Sequence, residues 1–190
     1  MDKNTIIVAG FPGVGKTYLS TKGRKLNILD LDGKEFIWSD DNCIQRNPNY
    51  PNNYIQGIKD NMGKYDIIFI ALDFDILKRL DNEKITFIIL YPNKSLKKSY
   101  ITRYRRRGDS VEFIESMKND WDSVINKIET KKTYLKLKLN TTRTIEDIFL
   151  ESKVYTVFQN IFEIISTIAL IRISFEINNK SVQYLAKHRE

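Results

Sequence analysis

The chain has little of what several kinds of chemistry require. Its one cysteine, Cys43, cannot form an internal disulfide, so a disulfide-stapled framework is excluded, and a lone thiol with no histidine or second cysteine beside it reads as inert. The one histidine, His188, lies in a polar tail, which excludes a histidine triad and a histidine-rich metal site. The start, MDKNTIIVAGF, lacks the basic region and uninterrupted apolar core of a signal peptide, and together with the cysteine usage this favours a reducing, cytoplasmic setting. A clean membrane span is missing too. A run from Val154 would carry Gln159, Asn160 and Glu163, and a central carboxylate alone costs about 2.5–3.5 kcal/mol on insertion scales. No internal repeat or low-complexity linker divides the chain.

What is present fits a compact α/β domain. A length of 190 residues with an apolar fraction of 42% is enough to bury a core. The formal charge of +7 suits any protein that handles polyanions, so its sign alone does not separate a nucleotide ligand from a nucleic acid. Apolar, β-branched runs predict strands at Thr5–Ala9, Leu26–Asp30, Asp66–Leu72, Ile85–Tyr91 and Tyr134–Leu139. The segments between them are long enough for crossover helices, so the expected architecture is a three-layer sandwich around a five-stranded parallel sheet. Helical spacing marks Asn52–Lys64, Phe74–Leu80 and, most clearly, about Val111 to Ile128 behind a capping-box-like Asp109-Ser110-Val111-Glu112. Trp121 falls on the core face of that last helix.

The central motif is GFPGVGKT at Gly10–Thr17, which fits G-x-x-x-x-G-K-[ST] between the first strand and a helix over Thr17–Lys22. The glycines let backbone N–H groups wrap a polyphosphate, Lys16 reaches its β- and γ-phosphates, and the Thr17 hydroxyl is a Mg²⁺ ligand. Gly10, Pro12, Gly13, Val14, Gly15, Lys16, Thr17 and Tyr18 are the candidate nucleotide-binding residues. An ordinary glycine turn is the competing explanation.

Two further regions belong to the candidate site. In NILDLDG, Asp30 and Asp32 fall at the carboxyl end of the second strand, where open parallel sheets bind ligands. One carboxylate would orient Mg²⁺, and the other would accept a proton from the attacking hydroxyl or position the acceptor. Asp-Gly at 32–33 is also turn chemistry. Asp73, after the third strand, is either a metal-orienting carboxylate or the N-cap of the next helix. The segment Asn93–Gly108, NKSLKKSYITRYRRRG, carries seven basic residues and no acidic one. As a helix it makes an apolar stripe of Leu96, Tyr100 and Tyr104, with Arg103 and Arg107 on another face and Arg106 close by. Converging there, these arginines would neutralise a transferring phosphoryl group; a solvated basic face or a nucleic-acid patch is the blander alternative. Arg46, Tyr54 and Lys59 lie around NPNYPNNY, which reads as an acceptor-binding segment.

These residues resemble the small P-loop kinases of the nucleoside monophosphate kinase and shikimate kinase type, including compact phage-encoded adenylate kinase-like proteins. The resemblance covers roughly residues 3 to 149 and rests on GFPGVGKT, LDLD, NPNYPNNYI and YPNKSL…YITRYRRRG. It implies ATP, Mg²⁺, a closing lid, phosphoryl transfer to a small acceptor, most often a nucleotide, and an adenine contact from Asn140–Thr144. The chain departs from adenylate kinases after the third strand, where it has ALDFD at Ala71–Asp75 in place of Asp-Gly-Phe-Pro-Arg. Kinase activity on another metabolite or on a modified nucleic-acid base, and a non-catalytic ATP-binding module, are the other readings; no membrane partner is expected. Residues 150–190 form an extension without a counterpart in that family. Val154 to Ile168 repeat at helical spacing and Ile171 to Ile177 alternate as a strand would, which suggests an added packing element or a homodimer contact.

Overall fold

The computed structural model describes residues 5–21, 26–31, 33–40 and 44–140. Asp32, Cys43, residues 141–144 and the helix and strand expected after residue 150 lie outside these residues, as does the homodimer contact proposed for that extension.

Five strands form one all-parallel sheet: β1 (Ile6–Gly10), β2 (Ile28–Asp30), β3 (Ile67–Ala71), β4 (Phe87–Pro92) and β5 (Leu135–Leu139), in the spatial order β2-β3-β1-β4-β5. Each lies within two residues of its sequence expectation. In β3, Ile67, Ile68, Phe69 and Ile70 are all buried, and so are Phe87 through Tyr91 in β4. Successive strand residues point to opposite faces, so burial without alternation means that helices cover both sides. This is why the runs read as continuous hydrophobic stretches rather than as half-exposed ones.

The flanking helices are α1 (Lys16–Thr21), α2 (Lys34–Ile37), α3 (Asn52–Asn61), α4 (Phe74–Asn82), α5 (Lys97–Arg107) and α6 (Val111–Thr130). The four-residue α2 has no counterpart among the helices expected from sequence. A single turn of 3-10 helix, Lys94–Leu96, leads into α5, and Gly108 ends it in the left-handed conformation at φ 81°. Ser110 caps α6 by accepting from the Phe113 amide at 3.2 Å. The expected reciprocal capping box is only half built, because Glu112 stands one residue too early for it. Trp121 is fully buried and its indole N–H donates to the Lys94 carbonyl at 2.9 Å, which joins α6 to the start of α5. No helix among the described residues is long and apolar enough to cross a membrane.

Topology fixes where a ligand would sit. The chain leaves β1 toward β2 on one side and leaves β4 toward β5 on the other. The connections therefore diverge between the carboxyl ends of β1 and β4, and in open parallel sheets that crevice is the binding edge. The segment 11–15 follows β1, and Asn93 with α5 follows β4, so both motifs found in the sequence emerge at this one switch point.

Candidate functional site: the glycine loop and its neighbours

The loop between β1 and α1 is shaped by its own residues and held from inside. Gly13 and Gly15 adopt φ 78° and 101°, a region that costs an L-residue about 1–2 kcal/mol. Phe11 and Val14 are fully buried and anchor the loop to the core. Val14, a sequence candidate, therefore offers a ligand its backbone alone. The Lys16 side chain folds back across the loop and its Nζ donates to the Gly10 carbonyl at 2.8 Å. A Cβ on Gly10 would lie 2.7 Å from Lys16 Cδ, so the glycine gives the lysine stem its path. Tyr18, on α1, is 44% exposed.

Next to the loop, the Thr17 hydroxyl donates to Asp30 Oδ2 at 2.6 Å. The start of α1 and the end of β2 thus bring together a hydroxyl and a carboxylate thirteen residues apart in sequence. Among the described residues no cluster of three or more histidine, cysteine, aspartate or glutamate side chains could hold a metal alone. Mg²⁺ in phosphate sites does not need one, since it keeps several waters and takes one or two protein oxygens plus phosphate oxygens. Thr17 and Asp30 meet that requirement.

Asp73 takes the second of the two roles read from sequence. Its Oδ1 accepts from the amides of Asp75 and Ile76 at 2.8 and 3.3 Å, capping α4, and its Oδ2 accepts from the Tyr50 hydroxyl at 2.9 Å. Burial and the hydrogen bond to Asp73 push the Tyr50 pKa well above its usual value.

Helix α5 rests on the glycine loop. Arg103 Nη1 donates to the Gly13 carbonyl and the Tyr104 hydroxyl donates to the Pro12 carbonyl at 2.9 Å. A Cβ on Gly13 would stand 2.8 Å from Tyr104 Cε1. Behind these contacts, Phe11, Tyr100 and Trp121 form a cluster with ring centroids 5.1–6.2 Å apart, and such pairs contribute about 0.5–1.5 kcal/mol each beyond their buried area. The arginines do not converge. Arg103 lies at the loop with its guanidinium 4.5 Å from the Tyr100 ring centroid. Arg107 pairs with Asp109 at 2.6 Å and lies over Tyr104, and Arg106 is exposed to solvent. The sequence stripe therefore found the right helix and gave Tyr104 too small a part: counted as apolar, it is a hydrogen-bond donor to the loop.

The segment read as acceptor-binding divides. Tyr54 is a buried brace whose hydroxyl donates to the Leu31 carbonyl at 2.8 Å and accepts from the Ala71 amide at 3.0 Å, joining the ends of β2 and β3. Lys59 is paired with Glu83. Arg46 and Tyr50 line a groove against α4, with the guanidinium 5.7 Å from the Tyr50 ring centroid. No protein-family model matches the chain, and no curated protein matches it.

Proposed function

We propose that this chain is an ATP- and Mg²⁺-dependent phosphotransferase whose γ-phosphoryl acceptor is a small molecule, most simply a nucleotide. The observation that carries the reading is the Thr17–Asp30 hydrogen bond of 2.6 Å, which sets a hydroxyl and a carboxylate side by side at the binding edge, adjoining a glycine loop that holds Lys16.

The roles follow from the chemistry of each group. The amides of the loop Gly10–Thr17 bind phosphate oxygens. Lys16 exchanges the Gly10 carbonyl for a phosphate oxygen, a gain because both partners are then charged. Thr17 and Asp30 would hold Mg²⁺, which supplies charge neutralisation at the phosphates when bound. Phosphoryl transfer depends chiefly on positioning and on neutralising charge at the γ-phosphoryl oxygens. Arg103, already in contact with the loop, is assigned that neutralising role, and Arg106 and Arg107 lie on the same helix. Tyr54 joins the ends of β2 and β3, while Asp73 caps α4 and holds the Tyr50 hydroxyl. Asp32 keeps its proposed role toward the acceptor.

The test is ADP formation from ATP and Mg²⁺ across a panel of nucleoside monophosphates, deoxynucleotides, small hydroxy acids and single-stranded DNA. Stimulation by an acceptor in the wild type, absent in Lys16→Ala, supports the reading. ATP binding with no stimulation by any acceptor would count against it and leave a binding module.

A further inference from the structure

A second feature stands apart from the glycine loop. Between the segment 46–51 and α4 lies an open groove of about 750 Å³, within the range of about 300–1,000 Å³ typical of small-ligand sites. One wall is α4, which presents Asp75, Lys78, Arg79 and Asn82 at the three- and four-residue spacing of one helical face. The other carries Arg46, Asn47 and the flat surfaces of Pro48, Tyr50 and Pro51. Helix α4 runs back from the carboxyl edge of the sheet, so at about 1.5 Å per residue the groove extends about 10 Å from Asp75 to Asn82. It shares no lining residue with the glycine loop or α5.

The two walls are tied together. The Tyr50 hydroxyl donates to Asp73, which caps α4, and Arg79 Nη1 donates to Asn52 Oδ1 at 2.6 Å. The Tyr50 ring stacks on that of buried Tyr54 at 6.4 Å with 23° between the planes. Binding would therefore order little that is not already ordered, which lowers its entropic cost.

The charge on the walls is unbalanced. Arg46, Lys78 and Arg79 face one carboxylate, Asp75. Although Asp75 lies three and four residues before Lys78 and Arg79, it is in an ion pair with neither, and Arg46 and Lys78 have no ion pair among the described residues. Three cations gathered against a single carboxylate on a braced concave wall attract an anion, and guanidinium forks match phosphate oxygens in particular. Asp75 and the amides of Asn47 and Asn82 add groups that suit hydroxyls rather than further anionic charge.

We propose that this groove binds a phosphate monoester of a sugar, free or as part of a mononucleotide, with the phosphate on Arg46, Lys78 and Arg79 and the hydroxyls toward Asp75. The proposal does not depend on what the glycine loop binds.

The test is calorimetric titration of the full chain at low ionic strength with ribose 5-phosphate, adenosine monophosphate and a single-stranded oligonucleotide. The proteins are wild type, Lys16→Ala and the double variant Arg46→Ala/Lys78→Ala. Both replaced groove residues are exposed, and circular dichroism of the double variant checks its fold. Saturable binding of ribose 5-phosphate that is equal in wild type and Lys16→Ala and at least about tenfold weaker in the double variant is expected. Equal affinity for the two monoesters assigns the contacts to the sugar phosphate, and tighter binding of adenosine monophosphate adds the flat wall of Tyr50 and the prolines; both support the proposal. Four results would overturn it: no binding, binding unchanged in the double variant, binding lost in Lys16→Ala alone, or groove-dependent binding of the oligonucleotide far tighter than of either monoester.

Discussion

The Thr17 hydroxyl lies 2.6 Å from Asp30 Oδ2 and donates its hydrogen to it. The bond leaves the hydroxyl oxygen's lone pairs open to a cation while the carboxylate fixes the side chain's orientation. Replacing Asp30 by Asn keeps the shape and removes the charge. In the ATP complex, Asp30→Asn should lower Mg²⁺ affinity about 10–100-fold, as loss of a group that orients a metal ligand does. Titration of Mg²⁺ at saturating ATP measures this; an unchanged midpoint would mean that the Asp30 charge takes no part in holding the metal.

Gly13 and Gly108 share φ values of 78° and 81° and differ in surroundings: a Cβ at Gly13 meets Tyr104 at 2.8 Å, and one at Gly108 meets nothing within 4 Å. Gly108→Ala should cost the backbone penalty alone, about 1–2 kcal/mol. Gly13→Ala should cost about 2–5 kcal/mol, because overpacking against a buried ring adds to it. Thermal melts separate the two at about 2–4 °C per kcal/mol for a chain of this size. Equal melting temperatures would show that α5 does not press on the loop.

The Tyr54 hydroxyl satisfies the Leu31 carbonyl and the Ala71 amide. Tyr54→Phe leaves both without that partner, at about 1–3 kcal/mol. Urea denaturation should show a lower midpoint with an unchanged slope. A midpoint within error of the wild type would contradict the brace.

How much of this was legible in the sequence differs from element to element. Ile67–Ala71 and Phe87–Tyr91 declared themselves, because strands buried on both faces need unbroken β-branched and aromatic runs. Asp30 was placed correctly because the motif rule concerns strand ends, and β2 ends there. Strand order was not legible, since the pairing of β1 with β3 and β4 is decided by packing between distant segments. The Arg103 and Tyr104 contacts with Gly13 and Pro12 span about ninety residues of sequence, and no periodicity reports such a contact. Tyr54 and Tyr50 looked alike as tyrosines in an Asn/Pro-rich segment. One is sealed beneath the sheet edge and the other lines a groove, a difference set by the surrounding fold.

Alkaline stability follows from the tyrosines. Burial raises the pKa values of Tyr50, Tyr100 and Tyr104 above that of an exposed phenol. Below about pH 10, the value in an unfolded chain, these groups are neutral in both states and their contribution to stability is complete. As pH rises further the unfolded state loses protons that the folded state retains, so stability falls. Tyrosinate absorbance should therefore include a late fraction that appears together with the loss of circular dichroism. Ionisation of all tyrosines before unfolding would contradict this.

Equilibrium titration of ATP, with and without Mg²⁺, into wild type, Lys16→Ala and Thr17→Ala asks whether Gly10–Thr17 is a nucleotide site. Saturable binding to the wild type, tightened by Mg²⁺, is expected, with Lys16→Ala weaker under both conditions and Thr17→Ala losing only the Mg²⁺ enhancement. Equal binding by all three proteins, or none by the wild type, would contradict a nucleotide site at Gly10–Thr17.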